Sequence, residues 1–326
     1  MIFDVFNGDA DGICALHQLR LAQPRSSRLI SGVKRDIRLV RQVVSEIGPG
    51  RKCEQETIIT VLDVSMDSNK KDLLALLEMD CKIFYVDHHF PGEIPDSESL
   101  NAIVDTDPDV CTSLIIDRLF RGRYRPWAVV AAFGDNLHGA AMDAAADLKL
   151  TSDQLGRLRE LGELMNYNGY GKSVSDLYFT PQVLYEAVKP YEDPLDFCNQ
   201  SDVPAILRHG FADDMTKAGN CEPFIHRAGI RAFEFPAESW SRRVAGVFSN
   251  KKAREMKDTA HALIIDNSDG TYLVSVRAPL CNKTGADVLC RAYPTGGGRA
   301  AAAGINALPV ELLNDFMNSF KKAFSS

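Results

Sequence analysis

Val86-Asp87-His88-His89-Phe90 follows Cys81-Lys82-Ile83-Phe84-Tyr85, an apolar, β-prone run of strand length, and precedes the turn signal Pro91-Gly92. This order predicts a buried parallel strand with Asp-His-His at its C-terminal end, the rim where open α/β sheets place their ligands. One carboxylate and two imidazoles on adjacent residues suit a divalent metal such as Mn²⁺. Taken alone, the triplet fits a metal site and a polar strand-end cluster equally well.

The same arrangement recurs on both sides of it. Ile2-Phe3-Asp4-Val5-Phe6 reads as a strand, Asn7-Gly8-Asp9-Ala10-Asp11-Gly12 as an acidic turn, and Ile13 to about Ala22 as a helix. Thr57-Ile58-Ile59-Thr60-Val61-Leu62 runs straight into Asp63, and a charge closing an almost fully apolar strand belongs to the rim rather than the core. The apolar Trp127-Ala128-Val129-Val130-Ala131-Ala132-Phe133 stops at Gly134-Asp135-Asn136. Arg28 to Val33 is expected as a further strand and Asp36 to Ile47 as a helix, with Lys34 and Arg35 between them. That pair is read as solvating a helix start, with phosphate contact as the other option. Asp105, Asp107 and Asp109 are read as a solvated loop and cap before a helix at Thr112 to Phe120.

With 326 residues the chain has enough length for one or two domains. Its net charge of −7 argues against wrapping long duplex nucleic acid through a basic surface, while leaving room for a small anionic substrate. Eight cysteines are scattered without zinc spacing. The amino terminus has no signal-peptide pattern and no run is long enough for a membrane span, so a reducing cytoplasm is expected.

From Thr151 to about Ser201 the pattern is helical, opened by the capping signal Thr151-Ser152-Asp153-Gln154 and broken at Asn166 to Gly171. His209 and His226 are read as structural. Beyond about Glu238 the pattern turns mixed: strands at Arg243 to Phe248 and His261 to Ile265 flank a helix at Asn250 to Lys257. Asp266 to Gly270 reads as a hairpin turn into the strand Tyr272 to Arg277, and Ala286 to Arg291 as a short helix. Gly296, Gly297, Gly298 and Arg299 open a tract of small residues that would let backbone amides approach a phosphate or base; a terminal helix follows from Val310 to Phe324.

Asp9-x-Asp11-Gly12, Asp63, Asp87-His88-His89 and Gly134-Asp135 in that order, with Gly-Gly-Gly-x-x-x-Ala-Ala-Gly near the end, resemble the DHH/DHHA1 phosphoesterases over nearly the whole chain. The resemblance implies an α/β protein: a parallel-sheet catalytic domain over residues 1–185, a helical connector over 186–237 and a smaller α/β substrate-binding domain over 238–326. It also implies two divalent ions, Mn²⁺ in the first instance and Mg²⁺ as the alternative. Asp9, with Asn7, would hold one ion, Asp11, His88 and Asp135 the other, and Asp63 would bridge them and activate a shared water. His89 would contact phosphate, and Arg277, Gly296, Gly297, Gly298 and Arg299 would bind substrate.

Two departures from the family pattern matter. Asn7 stands where a His or Asp is usual, and a neutral amide is the weaker ligand. Arg299 stands where His is usual, and Arg can donate two parallel bonds to a phosphate or to guanine O6 and N7. The resulting expectation is a Mn²⁺-dependent phosphodiesterase acting on short oligoribonucleotides, 5′-phosphorylated dinucleotides such as pGpG first, without membrane or long duplex partners; a homodimer stays open. The rivals are a cyclic-dinucleotide phosphodiesterase, a pAp phosphatase, an exonuclease of the RecJ type and a catalytically silent nucleotide sensor.

Overall fold

Apolar strands that end in acidic residues do line up side by side in the computed structural model, which describes residues 1–50, 52–53 and 56–324. The first sheet contains β1 (Ile2–Asn7), β2 (Arg28–Gly32), β3 (Ile58–Leu62), β4 (Lys82–Asp87) and β5 (Leu100–Val104). It is parallel throughout, in the order β2-β1-β3-β4-β5. Parallel strands need crossovers, and α1 (Ala10–Ala22), α2 (Val40–Ile47) and α3 (Met66–Glu78) supply them. The strand order reverses between β1 and β3, so the carboxyl ends of these neighbours flank the crevice in which open α/β sheets bind ligands.

The rest of the first unit is helical: α4 (Thr112–Leu119), α5 (Arg125–Gly134), α6 (His138–Ala145), α7 (Ser152–Asn168), α8 (Pro181–Val188) and α9 (Pro194–Gln200). The apolar run Trp127 to Phe133 lies inside α5 and is buried on every side, because α1, α4, α6 and α7 all pack around that helix. Asp135 therefore reaches the rim from the end of a helix rather than a strand.

Just ahead of the loop that carries Asp105, Asp107 and Asp109, β5 adds a fifth parallel strand through Val104. The second helix starts at Val40 rather than Asp36.

The chain divides into two compact units, Met1–His209 and Gly210–Ser326, with α10 (Val203–Gly219) spanning the division. The second unit has β6 (Ile225–Arg227), β7 (Ile230–Phe235), β8 (Ala260–Asp266), β9 (Thr271–Arg277), β10 (Gly296–Arg299) and β11 (Ala302–Pro309) in one sheet, ordered β10-β11-β9-β8-β7-β6. All neighbours are antiparallel except β7 and β8. Its helices are α11 (Ser239–Glu255), α12 (Ala286–Arg291) and α13 (Leu313–Phe324). The strand expected at Arg243 to Phe248 is instead the middle of α11. Trp240, Val244 and Phe248 recur every fourth residue and are all buried, so one helical face wins over the β-prone local composition. Gly296 and Gly298 are needed for packing: a Cβ at Gly296 would lie 1.8 Å from the Cys290 carbonyl oxygen, and one at Gly298 2.5 Å from Ala303 Cα. Gly297 faces open space.

A buried ion pair ties β1 to α1. The Arg20 guanidinium grips both oxygens of Asp4, with Nε donating at 2.8 Å, and also donates to Thr60 Oγ1 at 3.1 Å, while Ser27 Oγ donates to Asp4 at 2.6 Å. Removing one partner strands a buried charge. Asp4→Ala should therefore destabilise the protein by about 3–5 kcal/mol in denaturant unfolding, and Asp4→Leu with Arg20→Leu by distinctly less.

Candidate functional site

The Asn7-to-Gly12 turn does two jobs at the end of β1. Asp9 is the N-cap of α1: its Oδ1 accepts from the backbone N–H of Asp11 at 3.0 Å and of Gly12 at 3.1 Å. Glycine at position 12 permits this tight path, since a Cβ there would lie 2.2 Å from the Asn7 carbonyl oxygen. Asp11, one turn in and only 1% exposed, accepts from the Thr112 N–H at 2.8 Å and the Ser113 N–H at 2.7 Å at the start of α4.

Asp63 closes β3 in the left-handed backbone region, at φ 57°. That conformation is unfavourable for a residue with a Cβ, and at a strand end it turns the carboxylate to the rim. Thr112 Oγ1 donates to it at 3.5 Å. Asp87, His88 and His89 follow at the end of β4. The Asp87 carboxylate accepts from the His88 N–H at 2.9 Å and lies 2.7 Å from His89 Nδ1, orienting that ring. His88 Nδ1 lies 2.9 Å from the Val110 carbonyl, so Nδ1 carries the proton and Nε2 points at carboxylates, 3.4 Å from Asp63 Oδ1 and 3.9 Å from Asp135 Oδ2.

One pocket joins these groups. Its lining includes Asn7, Asp9, Lys34, Asp63, His88, His89 and Asp135. Asp11, almost fully buried, is not on its wall. Ligand atoms of Asp63, His88 and His89 lie within 4.8 Å of one another, close enough to hold one metal ion. Asn7 presents a buried Oδ1 without a hydrogen-bond partner. The donor set of carboxylate, imidazole and amide oxygen suits Mn²⁺ or Mg²⁺ far better than a thiolate-seeking metal.

Lys34 is the residue that sequence reasoning placed wrongly. It is no solvated helix start: its ammonium lies 2.6 Å from Asp9 Oδ2, 2.9 Å from Asn166 Oδ1 and 3.1 Å from Asp135 Oδ1. A signal was present in the topology, because β2 pairs with β1 with Gly32 opposite Asn7, and whatever follows β2 shares the rim with the Asp9 turn.

Electrostatics follow from this crowding. Burial pushes the Asp63 carboxyl well above its ordinary pKa, and repulsion from Asp11 and Asp9 adds to the rise. Burial raises Asp11 as well, outweighing the attraction of His88. Burial also acts to raise Asp9, but the charge and hydrogen bond of Lys34, with the Gly12 amide, outweigh it and hold Asp9 below the usual value. Burial disfavours the charged forms of His88 and His89, yet their carboxylate neighbours, Asp11 and Asp135 for one and Asp87 for the other, raise both.

In the second unit, register places Arg277 and Arg299 directly on either side of Ala302, so the two arginines share one row and one face of the sheet. Arg277 Nε donates to Asn250 Oδ1 at 2.7 Å and Nη1 to Ser275 Oγ at 2.9 Å. Arg299 is exposed, and the tract before it is strand rather than open loop.

No family model matches the chain, and no curated protein matches it either. Solved structures do. The chain is similar to exonuclease RecJ bound to manganese, at 14% identity and a TM-score of 0.61 over 98% of this chain and 89% of that one. It is similar to the pGpG-specific phosphodiesterase PggH from Vibrio cholerae, at 13% identity and 0.56 over 99% and 98%. A third is RecJ from Thermus thermophilus in complex with Mn²⁺, at 15% and 0.55, covering 98% of this chain and 51% of that one. At such identities the likeness establishes the fold alone: a parallel-sheet unit and a second mixed-sheet unit, matched over essentially the full chain.

The raised Asp63 pKa carries a stability consequence. A carboxyl whose folded pKa exceeds its unfolded value contributes stability at low pH that is lost as pH rises through the folded pKa. In chelator at pH 8, Asp63→Asn should be more stable than the wild type, and the gain should shrink towards pH 4. Thermal unfolding of both proteins across that range checks it.

Proposed function

We propose that the chain is a metal-dependent phosphodiesterase that cleaves short linear oligoribonucleotides to mononucleotides, with 5′-phosphorylated dinucleotides such as pGpG as its substrates. The observation that carries this reading is the convergence of Asp9, Asp63, His88, His89 and Asp135, from four separate stretches of chain, on one pocket beyond the strand ends. The similarity in fold to RecJ and to a pGpG phosphodiesterase supports it.

In this reading Asp63, His88 and Asp135 are the principal metal ligands, with Asp11 behind them and Asp9 and Asn7 alongside. A divalent cation held there, Mn²⁺ by analogy with the manganese-bound RecJ structures, would lower the pKa of a bound water and neutralise phosphate oxygens. The protein's own groups do the rest. Val110 fixes the His88 tautomer so that Nε2 is the free ligand atom. Asp87 holds the His89 ring and favours its protonated form, leaving Nε2–H to donate to the scissile phosphate or the departing oxygen. The first unit acts as the catalytic domain and the second as the substrate-binding domain, in which the Arg277 and Arg299 row takes up the nucleotide and the open face of Gly297 allows close approach.

Incubation of the purified protein in Mn²⁺ with linear di- to pentanucleotides, cyclic dinucleotides and pAp tests the reading. Fastest turnover is expected on the dinucleotide; preference for a cyclic dinucleotide or pAp, or no hydrolysis, overturns it. His89→Gln should lower kcat by about 10²-fold or more while leaving Mn²⁺ binding intact, as measured by steady-state rates alongside metal titration. Arg299→Ala should reduce the pGpG-to-pApA rate ratio by roughly tenfold, and equal wild-type rates on the two would remove guanine readout from Arg299.

A further inference from the structure

We infer that the ammonium of Lys34 is a built-in cation that takes the place of one of the two divalent ions, so that the pocket binds a single metal ion per chain. The inference rests on the metal-dependent reading above and concerns the stoichiometry and charge of that same site.

The position of Lys34 is constructed from every side. Its backbone N–H donates to the Gly169 carbonyl at 2.8 Å, and its own carbonyl accepts from Asn7 Nδ2 at 3.4 Å. Its side chain passes the Tyr170 ring, with Nζ 5.7 Å from the ring centroid. An ammonium has three protons, and three acceptors meet it: Asp9 Oδ2, Asp135 Oδ1 and Asn166 Oδ1, from the β1–α1 turn, the end of α5 and α7. Two of the three acceptors are carboxylates, 2.6 and 3.1 Å from Nζ, so the charge of the ammonium is matched where it lies.

The donors left for a second ion are correspondingly poor. Asp9 has both oxygens engaged, Oδ1 by two backbone amides and Oδ2 by Lys34. The neighbouring Asn7 is neutral. A divalent ion at Asp9 would have to evict a buried ammonium from its three acceptors or lie against it, like charge to like charge. The other side of the pocket is free of this conflict: His88 Nε2 lies 3.4 Å from Asp63 Oδ1 and 3.9 Å from Asp135 Oδ2, and no Lys or Arg ion pair involves Asp63 or His88 among those found in the described residues. The pocket is therefore asymmetric, with a metal at the Asp63 and His88 side and a fixed ammonium at the Asp9 side. A substrate phosphate would lie between a divalent charge and a single one.

The test is the metal stoichiometry of the full chain, stripped with chelator and titrated with Mn²⁺ in calorimetry, with bound manganese counted by native mass spectrometry. One tight Mn²⁺ per chain is expected for the wild type. Lys34→Met combined with Asn7→Asp restores a carboxylate and removes the competing charge, and should bind two, with the exchange-coupled pair signal in electron paramagnetic resonance that one ion cannot give. Two ions of comparable affinity in the wild type would overturn the inference while leaving the metal-dependent reading intact. Failure to bind any Mn²⁺ would overturn both. The wild-type count decides the matter even if the double variant does not fold.

Discussion

Four aspartates, Asp9, Asp11, Asp63 and Asp135, are gathered around one pocket, and like charges in a low-dielectric crevice repel. Everything nearby manages that repulsion. Backbone amides at the starts of α1 and α4 bind Asp9 and Asp11, where helix N-termini favour negative charge. Lys34 reaches in from the end of β2 to join Asp9 to Asp135. Asp63, deepest in the conflict, has no cationic Lys or Arg partner among the described ion pairs and occupies an unfavourable backbone conformation as well. The raised Asp63 and Asp11 carboxyls mark a crowding of acids that a multivalent cation would relieve.

The sheet is what makes the convergence possible. In a parallel array every strand ends on the same rim, so residues that follow β1, β2, β3 and β4 come together although the chain between them spans about eighty positions. Register then fixes which residues meet: Asn7 opposite Gly32, Leu62 opposite both Phe6 and Val86. The buried Asp4 and Arg20 pair lies at the middle of β1 and holds α1 to it, and through α1 the Asp9 turn. A loss of packing there would reach the pocket without touching any of its residues.

The sequence made the acidic half of the site legible for a simple reason. Asp63 and Asp87 each end a run too apolar to be anything but a buried strand, so their charges had to face the rim. Lys34 escaped the same logic because Lys-Arg beside a helix start is ordinary surface chemistry, and only pairing of β2 with β1 turns it inward. The positive φ of Asp63 had no local signal, as neither glycine nor asparagine stands in Leu62-Asp63-Val64-Ser65. Residues 243–248 were misread because a six-residue window of Val, Ala, Gly and Phe favours β structure; the fourfold spacing from Trp240 to Phe248 needed a longer window. The glycine tract was ambiguous in a different way. Gly296 and Gly298 are excluded from bearing a side chain by α12 and β11, so glycine there reports packing, and Gly297 is the position of the three left to a ligand.

Charge distinguishes the two functions that a pocket of this shape can serve. A nucleotide sensor gains affinity by matching phosphate with fixed cations, and three buried carboxylates and a half-buried fourth around the binding pocket would oppose it. An enzyme that activates water needs those carboxylates, because a cation strong enough to acidify water must itself be held against leaving. The ammonium of Lys34 bears on this choice. It already neutralises Asp9 at no cost in bound metal, which leaves Asp63, Asp135 and Asp11 as a net negative cluster around His88. That remainder opposes a phosphate and suits a divalent cation, and the His88 and His89 rings beside it are held in fixed orientations by Val110 and Asp87.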